Sequence, residues 1–328
     1  MQTVGHMDWR NRATDLLGCK YPIIQGAFGG FGRSDLATAV SNAGGFGIIT
    51  AGALRTPEKL REDIRKARAA TDKPFGVNLS VGIKHIDDMR EVAIEERVPV
   101  IFTAVYRSDD HGRRIHEAGL KWVHKVATIK HAISAEQQGA DAVVMVGLEG
   151  AGFKSRDQLP TLVGITTAVK ILKVPVIAAG GIGDARGLVA ALAMGAEGVY
   201  MGTRFMATTE CPVSESFKRK LVDSQPWDAD IRDRALTPPD NSDYEALMKA
   251  KDTMAQSEWL QSLELLFLKH AANEEIDWDD DEASLKITGG SLAVGVIDSV
   301  VSCRELIETI VCEAESILST SGITGKHT

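Results

Sequence analysis

Residues 175–205 read PVIAAGGIGDARGLVAALAMGAEGVYMGTRF. Two apolar runs, PVIAA and GVYM, each stop at a glycine turn. Between them lies DARGLVAALAMGA, which has helical periodicity, an Asp at its expected N-cap and a Gly near its end. This is one strand–helix–strand step, and strands apolar on both faces are those of a parallel sheet covered by helices.

The step repeats back along the chain. Strand candidates are PIIQGA (22–27), FGIITAG (46–52), PFGVNLSV (74–81), PVIFTAV (99–105), KWVHKV (121–126), DAVVMVG (141–147), PVIAAGG (175–181) and GVYMGT (198–203). Helix-like segments such as SDLATAVSNAG, TPEKLREDIRKARAAT and TLVGITTAVKILK separate them. Eight β-then-α steps in about 200 residues predict a (β/α)8 TIM barrel over residues 1–205. The rival is a doubly wound open sheet, but no GxGxxG opens the first helix. After Thr203 the pattern changes. Residues 206–285 read as a helical insertion or second domain, a lid over the barrel mouth, with an acidic run EEIDWDDDE (274–282) read as a solvated loop. Residues 286–328 supply a glycine-rich turn and a last amphipathic helix expected to pack back on the barrel.

The 328 residues, 44% apolar, are enough to bury a large core. A net charge of −8 without a basic block argues against nucleic-acid binding. The cysteines (Cys19, Cys211, Cys303, Cys312) form no CxxC or Cys/His pattern, so no metal is expected and the thiols read as incidental in a reducing compartment. The polar N-terminus lacks the apolar core of a signal peptide, and no run reaches the ~18 apolar residues of a membrane helix. The expectation is a cytoplasmic protein acting on a small molecule, with neither membrane nor nucleic acid as partner. A second copy of the chain stays open.

In such barrels chemistry sits at the C-terminal ends of the strands. Those ends are glycine-rich here: Gly26, Gly147–Gly152, Gly180–Gly183 and Gly202. AAGGIGDARG and YMGTRF follow strands 7 and 8, where backbone N–H groups commonly hold a phosphate; the Thr203 hydroxyl is expected to add a donor. Arg204 reads as phosphate charge or as half of a structural ion pair. GAF (26–28) and GAGF (150–153) offer backbone edges and an aromatic face to a flat ligand, and the Asn78 amide suits a heterocycle's edge. Lys125 is a cation in an apolar run. It fits a flavin's anionic edge, a Schiff-base nucleophile or a surface lysine, and spacing alone leaves the three open.

YPIIQGAFGG, SNAGGFGIITAG, PFGVNLSV, GADAVVMVGLEGAGF, the 175–205 stretch and ATTECP together closely resemble the nitronate monooxygenase (2-nitropropane dioxygenase-like) family. That family includes NADH:quinone reductases and flavin-type enoyl reductases. The resemblance implies FMN, with NADH or NADPH as a reductant. It places the backbone of Gly26, Ala27 and Phe28 along the flavin, Asn78 and Lys125 at its ring edge, and the Ala151–Gly152 turn close by. Ala179, Gly180, Gly181, Gly202 and Thr203 would hold the phosphate end.

Two positions depart from the family. Its histidine after the glycine turn is Phe153 here, and the polar residue near the end of strand 6 is Val146. A phenyl ring cannot trade protons as an imidazole does. Substitutes at the mouth are Glu149, Lys154, Arg156, Asp157, Tyr106 and Arg107; Lys125, Glu149 and Tyr106 are the catalytic candidates, and Phe153 and Lys154 line the expected substrate pocket. Strand alternation sends His124 outward, and His111 and His116 are expected in solvent. The expected activity is therefore an NAD(P)H-dependent reduction of a quinone, enone or enoyl thioester. The alternatives are oxidation of alkyl nitronates by O2 and a non-catalytic flavin-binding subunit.

Overall fold

The computed structural model describes residues 7–28, 31–80, 85–104, 108–152, 155, 157–236 and 290–320, together with 246, 247, 249–251, 253–255, 258, 259 and 262. Each apolar run of the sequence becomes a strand: β1 Ile23–Gln25, β2 Gly47–Thr50, β3 Phe75–Ser80, β4 Val100–Ala104, β5 Lys121–Val126, β6 Ala142–Val146, β7 Val176–Ala179 and β8 Gly198–Met201. All pairings are parallel, in the order β1-β8-β7-β6-β5-β4-β3-β2. The expected TIM barrel is the fold.

Helices follow the strands as expected. After α1 (Arg12–Leu17) come α2 (Ser34–Asn42), α3 (Pro57–Ala70), α4 (Ile86–Glu95), α5 (Asp109–Glu117), α6 (Ile129–Gln137), α7 (Thr161–Ile171) and α8 (Ala185–Ala193). Their starts carry the chemistry the sequence advertised. Thr56 accepts from Lys59 N ahead of Pro57, Thr128 from His131 N, and Asp184 from Gly187 N.

Alternation along the strands divides the core into two layers. Ile24, Ile48, Val100, Phe102, Val123, Ala142, Val144 and Ile177 face the barrel axis, and Ala13 and Leu17 of α1 plug its lower end. Ile23, Ile49, Val77, Ile101, Trp122, Val143 and Val199 face the helices.

The barrel closes at a seam with little backbone pairing. Between β1 and β2 the bridge is Ile24 with Phe46, supported by Phe46 N to Ile23 O and Gln25 N to Phe46 O, both 2.9 Å. The Gln25 side chain then takes over. Its Oε1 accepts from Ile48 N at 2.8 Å, and its Nε2 donates to Gly26 O at 2.6 Å. A fully buried amide thus extends the ladder where the strand backbone ends.

After β8 the chain forms α9 (Thr203–Met206), α10 (Glu215–Asp223) and α11 (Ala229–Leu236). The rest of the expected insertion, including the acidic run, falls almost wholly outside the described residues. The chain returns through a 3-10 turn, Leu292–Val296, to α12 (Cys303–Thr320). This helix packs between α8 and α2, the position the eighth helix of a barrel occupies. Among the described residues no helix is long and apolar enough to cross a membrane.

Three local readings differ. FGIITAG stops being a strand at Thr50 and turns into the 3-10 helix Ala51–Leu54. GVYMGT ends at Met201, and Thr203 opens α9. His111, expected in solvent, is buried with its Nδ1 3.0 Å from Arg90 Nη1; burial, then the Arg90 charge, lowers its pKa. Hydrophobic periodicity missed it because the partner lies on the neighbouring helix.

Replacing Gln25 with Leu strands the Ile48 N–H and the Gly26 carbonyl inside the barrel. Urea unfolding of Gln25→Leu is expected to show a loss of about 2–4 kcal/mol. A change below about 0.5 kcal/mol would show that the seam does not need the amide.

Candidate active site

At the upper end of the barrel the inward positions change from aliphatic to small, polar or charged. Strand register brings Thr50 beside Asn78, Ala104 beside Lys125, Val146 beside Ala179, and Ala179 beside Tyr200. Several of the expected site residues therefore share one mouth. Tyr106, Arg107, Phe153, Lys154 and Arg156 lie outside the described residues.

Lys125 is half-buried on β5, and no carboxylate pairs with it among the described residues. Its Nζ lies 5.6 Å from the centroid of the Tyr200 ring. Loss of hydration lowers its pKa to about 8. As alternation requires, His124 points the other way, with its Nδ1 2.7 Å from Thr103 Oγ1, the same hydroxyl that accepts from Trp122 Nε1.

Asn78 is buried, and its Nδ2 donates to Ser80 Oγ at 3.3 Å. Its Oδ1 and the Oγ1 of Thr50 are buried without a hydrogen-bond partner among the described residues. A buried unpaired polar atom costs about 1–3 kcal/mol, so an acceptor left open on the Asn78 amide marks a place for a donor from a ligand.

The β1 turn is held from inside. Tyr200 Oη accepts from Ala27 N at 2.6 Å. Gly26 donates to Met201 O and accepts from Gln25. A Cβ on Gly26 would come within 2.8 Å of Tyr200 Cε1, which explains the glycine. The N–H groups of Gly26 and Ala27 are consequently spent within the protein, and these residues can line a ligand through their remaining surface only. Tyr200 shares strand parity with Gly202, a signal that could have placed it at the mouth.

On the opposite side the β6 and β7 turns interlock. Gly147 N donates to Ala179 O at 2.9 Å, and Gln158 Nε2 donates to the carbonyls of Val146 and Gly147. Gly180 has a φ of 103°, and a Cβ there would stand 3.0 Å from Gly147 O and Gly150 N. The carboxylate of Glu149, the expected proton-exchanging group, reaches the start of a helix. Its Oε2 accepts from Thr161 N at 2.7 Å and from Thr161 Oγ1 at 2.6 Å, at the start of α7.

Beside β8, a Cβ on Gly202 would find only Phe28 Cδ1, at 3.8 Å, among the described atoms. That space suits the phosphate end of a ligand. The Thr203 hydroxyl, however, accepts from Ser291 N at 3.0 Å and lies 2.9 Å from Ser291 Oγ. Leu292 N donates to Glu149 O at 3.1 Å, so the return segment fastens to the β6 and β8 loops together. Arg204 forms no ion pair among the described residues. It is buried and donates to the carbonyls of Ala207 and Ser299, both at 3.2 Å.

Gly180→Ala is expected to lose about 1–3 kcal/mol in urea unfolding, from backbone strain and collision together. Gly119→Ala is the control: its φ is 73° and no atom lies within 4 Å of the new Cβ. Equal losses at the two sites would show that the β6–β7 interlock contributes nothing.

The nitronate monooxygenase family model matches residues 10–313. A (3aS,4S,5R,7aS)-5-hydroxy-7a-methyl-1-oxo-octahydro-1H-indene-4-carboxyl-CoA dehydrogenase of Mycobacterium tuberculosis is 30% identical, across 96% of this chain and 99% of that protein. A probable nitronate monooxygenase of Staphylococcus aureus is 32% identical over 67% of this chain and 74% of its own length. Among solved structures, FabK from Thermotoga maritima superposes with a TM-score of 0.78 at 32% identity, covering 95% of this chain and 98% of the other. These relatives set aside the reading of the chain as a subunit without activity. The chain belongs to the nitronate monooxygenase family of oxidoreductases.

Proposed function

We propose that the protein is an FMN-dependent reductase that uses NADH or NADPH to reduce the carbon–carbon double bond of an enone or enoyl thioester. The observation that carries this reading is the makeup of the mouth. Lys125 supplies a cation there and His124 turns outward; the resemblance further implies that Phe153 stands at the position of the family's histidine. Reduction of an enoyl thioester adds a hydride at the β-carbon and a proton at the α-carbon. FMN would supply the hydride transfer, which depends on positioning more than on an imidazole base. The CoA thioester in the name of the relative aligned nearly end to end supports this substrate class.

The chain's residues fit that cofactor. The open Asn78 Oδ1 can accept a donor from the ring edge. The Lys125 ammonium can face the part of the ring that gains negative charge on reduction. The open space beside Gly202 has room for a phosphate, with Ala179, Gly180 and Gly181 at the end of the neighbouring strand and the Ala151–Gly152 turn alongside. Tyr106 would donate the proton to the α-carbon, and Lys154 would line the substrate pocket.

A second reading, oxidation of alkyl nitronates by O2, is favoured by the likeness to the Staphylococcus protein. A nitronate is already an anion, so losing the histidine does not abolish that reaction. Anaerobic mixing of the yellow protein with NADH and NADPH separates the two. Rapid bleaching, followed by reoxidation with crotonyl-CoA, is the expected result. Oxygen uptake with propyl nitronate and no oxidation of either nicotinamide would overturn it in favour of the monooxygenase.

The pH dependence of FMN binding has a definite sign. Lys125 in the cofactor-free chain is cationic below about pH 8 and neutral above it. Contact with an electron-rich ring edge raises that pKa, so affinity is expected to fall as pH rises from about 7 to about 10. Lys125→Met should bind FMN more weakly at pH 7 and lose this slope in a fluorescence titration. An unchanged slope would remove Lys125 from the cofactor site.

A further inference from the structure

We propose that Tyr200 is the positioning residue for Lys125: its ring seats the ammonium, while its hydroxyl locks the β1 turn that borders the same site. This rests on the FMN reading for its function, although the seating itself concerns only the chain.

A lysine has four rotatable stem bonds and keeps a fixed place only when something attracts its ammonium. In strand register Lys125 is flanked by Ala104 and Val144, which offer neither charge nor a side-chain hydrogen bond. Among the described inward positions at the mouth, Thr50, Asn78, Val146 and Ala179 are uncharged, and Tyr200 is the one titratable neighbour; burial raises its pKa, so it stays neutral. The face of its ring lies 5.6 Å from Nζ, within cation–π range.

The ring cannot swing away. Its edge abuts Gly26, its hydroxyl holds Ala27 N at 2.6 Å, and Phe102 packs on it with centroids 6.3 Å apart. Phe102 is backed in turn by Phe46 at 6.0 Å. An aromatic column anchored in the barrel core therefore ends in a fixed platform under Lys125. A side chain that merely filled the barrel would need neither the hydroxyl bond nor the orientation toward the cation.

The test is competitive acetylation of Lys125 in the cofactor-free protein, read by mass spectrometry across pH. Wild type should show a midpoint near pH 8. Tyr200→Phe keeps the ring and should keep the midpoint, whereas Tyr200→Leu should lower it by roughly half a pH unit. Trifluorinated phenylalanine in place of Tyr200 keeps the ring's size and weakens its negative face, so it should lower the midpoint even if the Leu variant does not fold. A midpoint that ignores fluorination overturns the seating. The hydroxyl's part is read separately: Tyr200→Phe should bind FMN about five- to tenfold more weakly, having left Ala27 N unpaired. Equal affinity would overturn that half. A wild type that binds no FMN would defeat the proposed function, yet the acetylation midpoints would still decide the seating.

Discussion

Gln25 closes the barrel where backbone pairing between β1 and β2 gives out, and the geometry of the mouth depends on that closure. A buried amide that bonds Ile48 N and Gly26 O keeps the eight strands in one ring. Only in a closed ring do inward positions from every strand converge on a common axis. The same amide fixes the Gly26 carbonyl, so the turn that borders the ligand space starts from a constrained point. Tyr200 then reaches across from β8 to hold the next residue, Ala27.

From this frame the contrast along the axis follows. The lower barrel is filled by aliphatic and aromatic side chains and plugged by α1. The upper barrel gives up packing for open polar groups: the Asn78 carbonyl oxygen without a partner, a lysine without a carboxylate among the described residues, and glycine turns. Each has a stability cost that an apolar filling would avoid. Their concentration at one end marks that end as a binding site. The return segment secures the arrangement from outside, since Ser291 and Leu292 bond the β8 and β6 loops at once.

Much of this was legible in the chain. Apolar runs placed all eight strands, because a parallel barrel buries both faces of every strand and leaves a continuous signal. Strand parity placed His124 outward. What escaped were pairings between residues distant in sequence. Glu149 looked like a free acid in a charged loop, but its partner is the first residue of α7. The Thr203 hydroxyl, legible as a phosphate donor, also accepts from the N–H of Ser291, 88 residues on. His111 is hidden by a neighbouring helix. Tyr200 stood in plain view within GVYMG, yet nothing local distinguishes a filling tyrosine from one that grips a turn.

The central claim is that the barrel mouth presents the Lys125 ammonium to the edge of a bound flavin. The most direct measurement is the two-electron midpoint potential of the flavin in wild type and in Lys125→Met, at a pH below 8. A cation at that edge stabilises the reduced, more negative ring, so the account predicts a lower potential in the variant. Equal potentials with FMN bound in both proteins would contradict it.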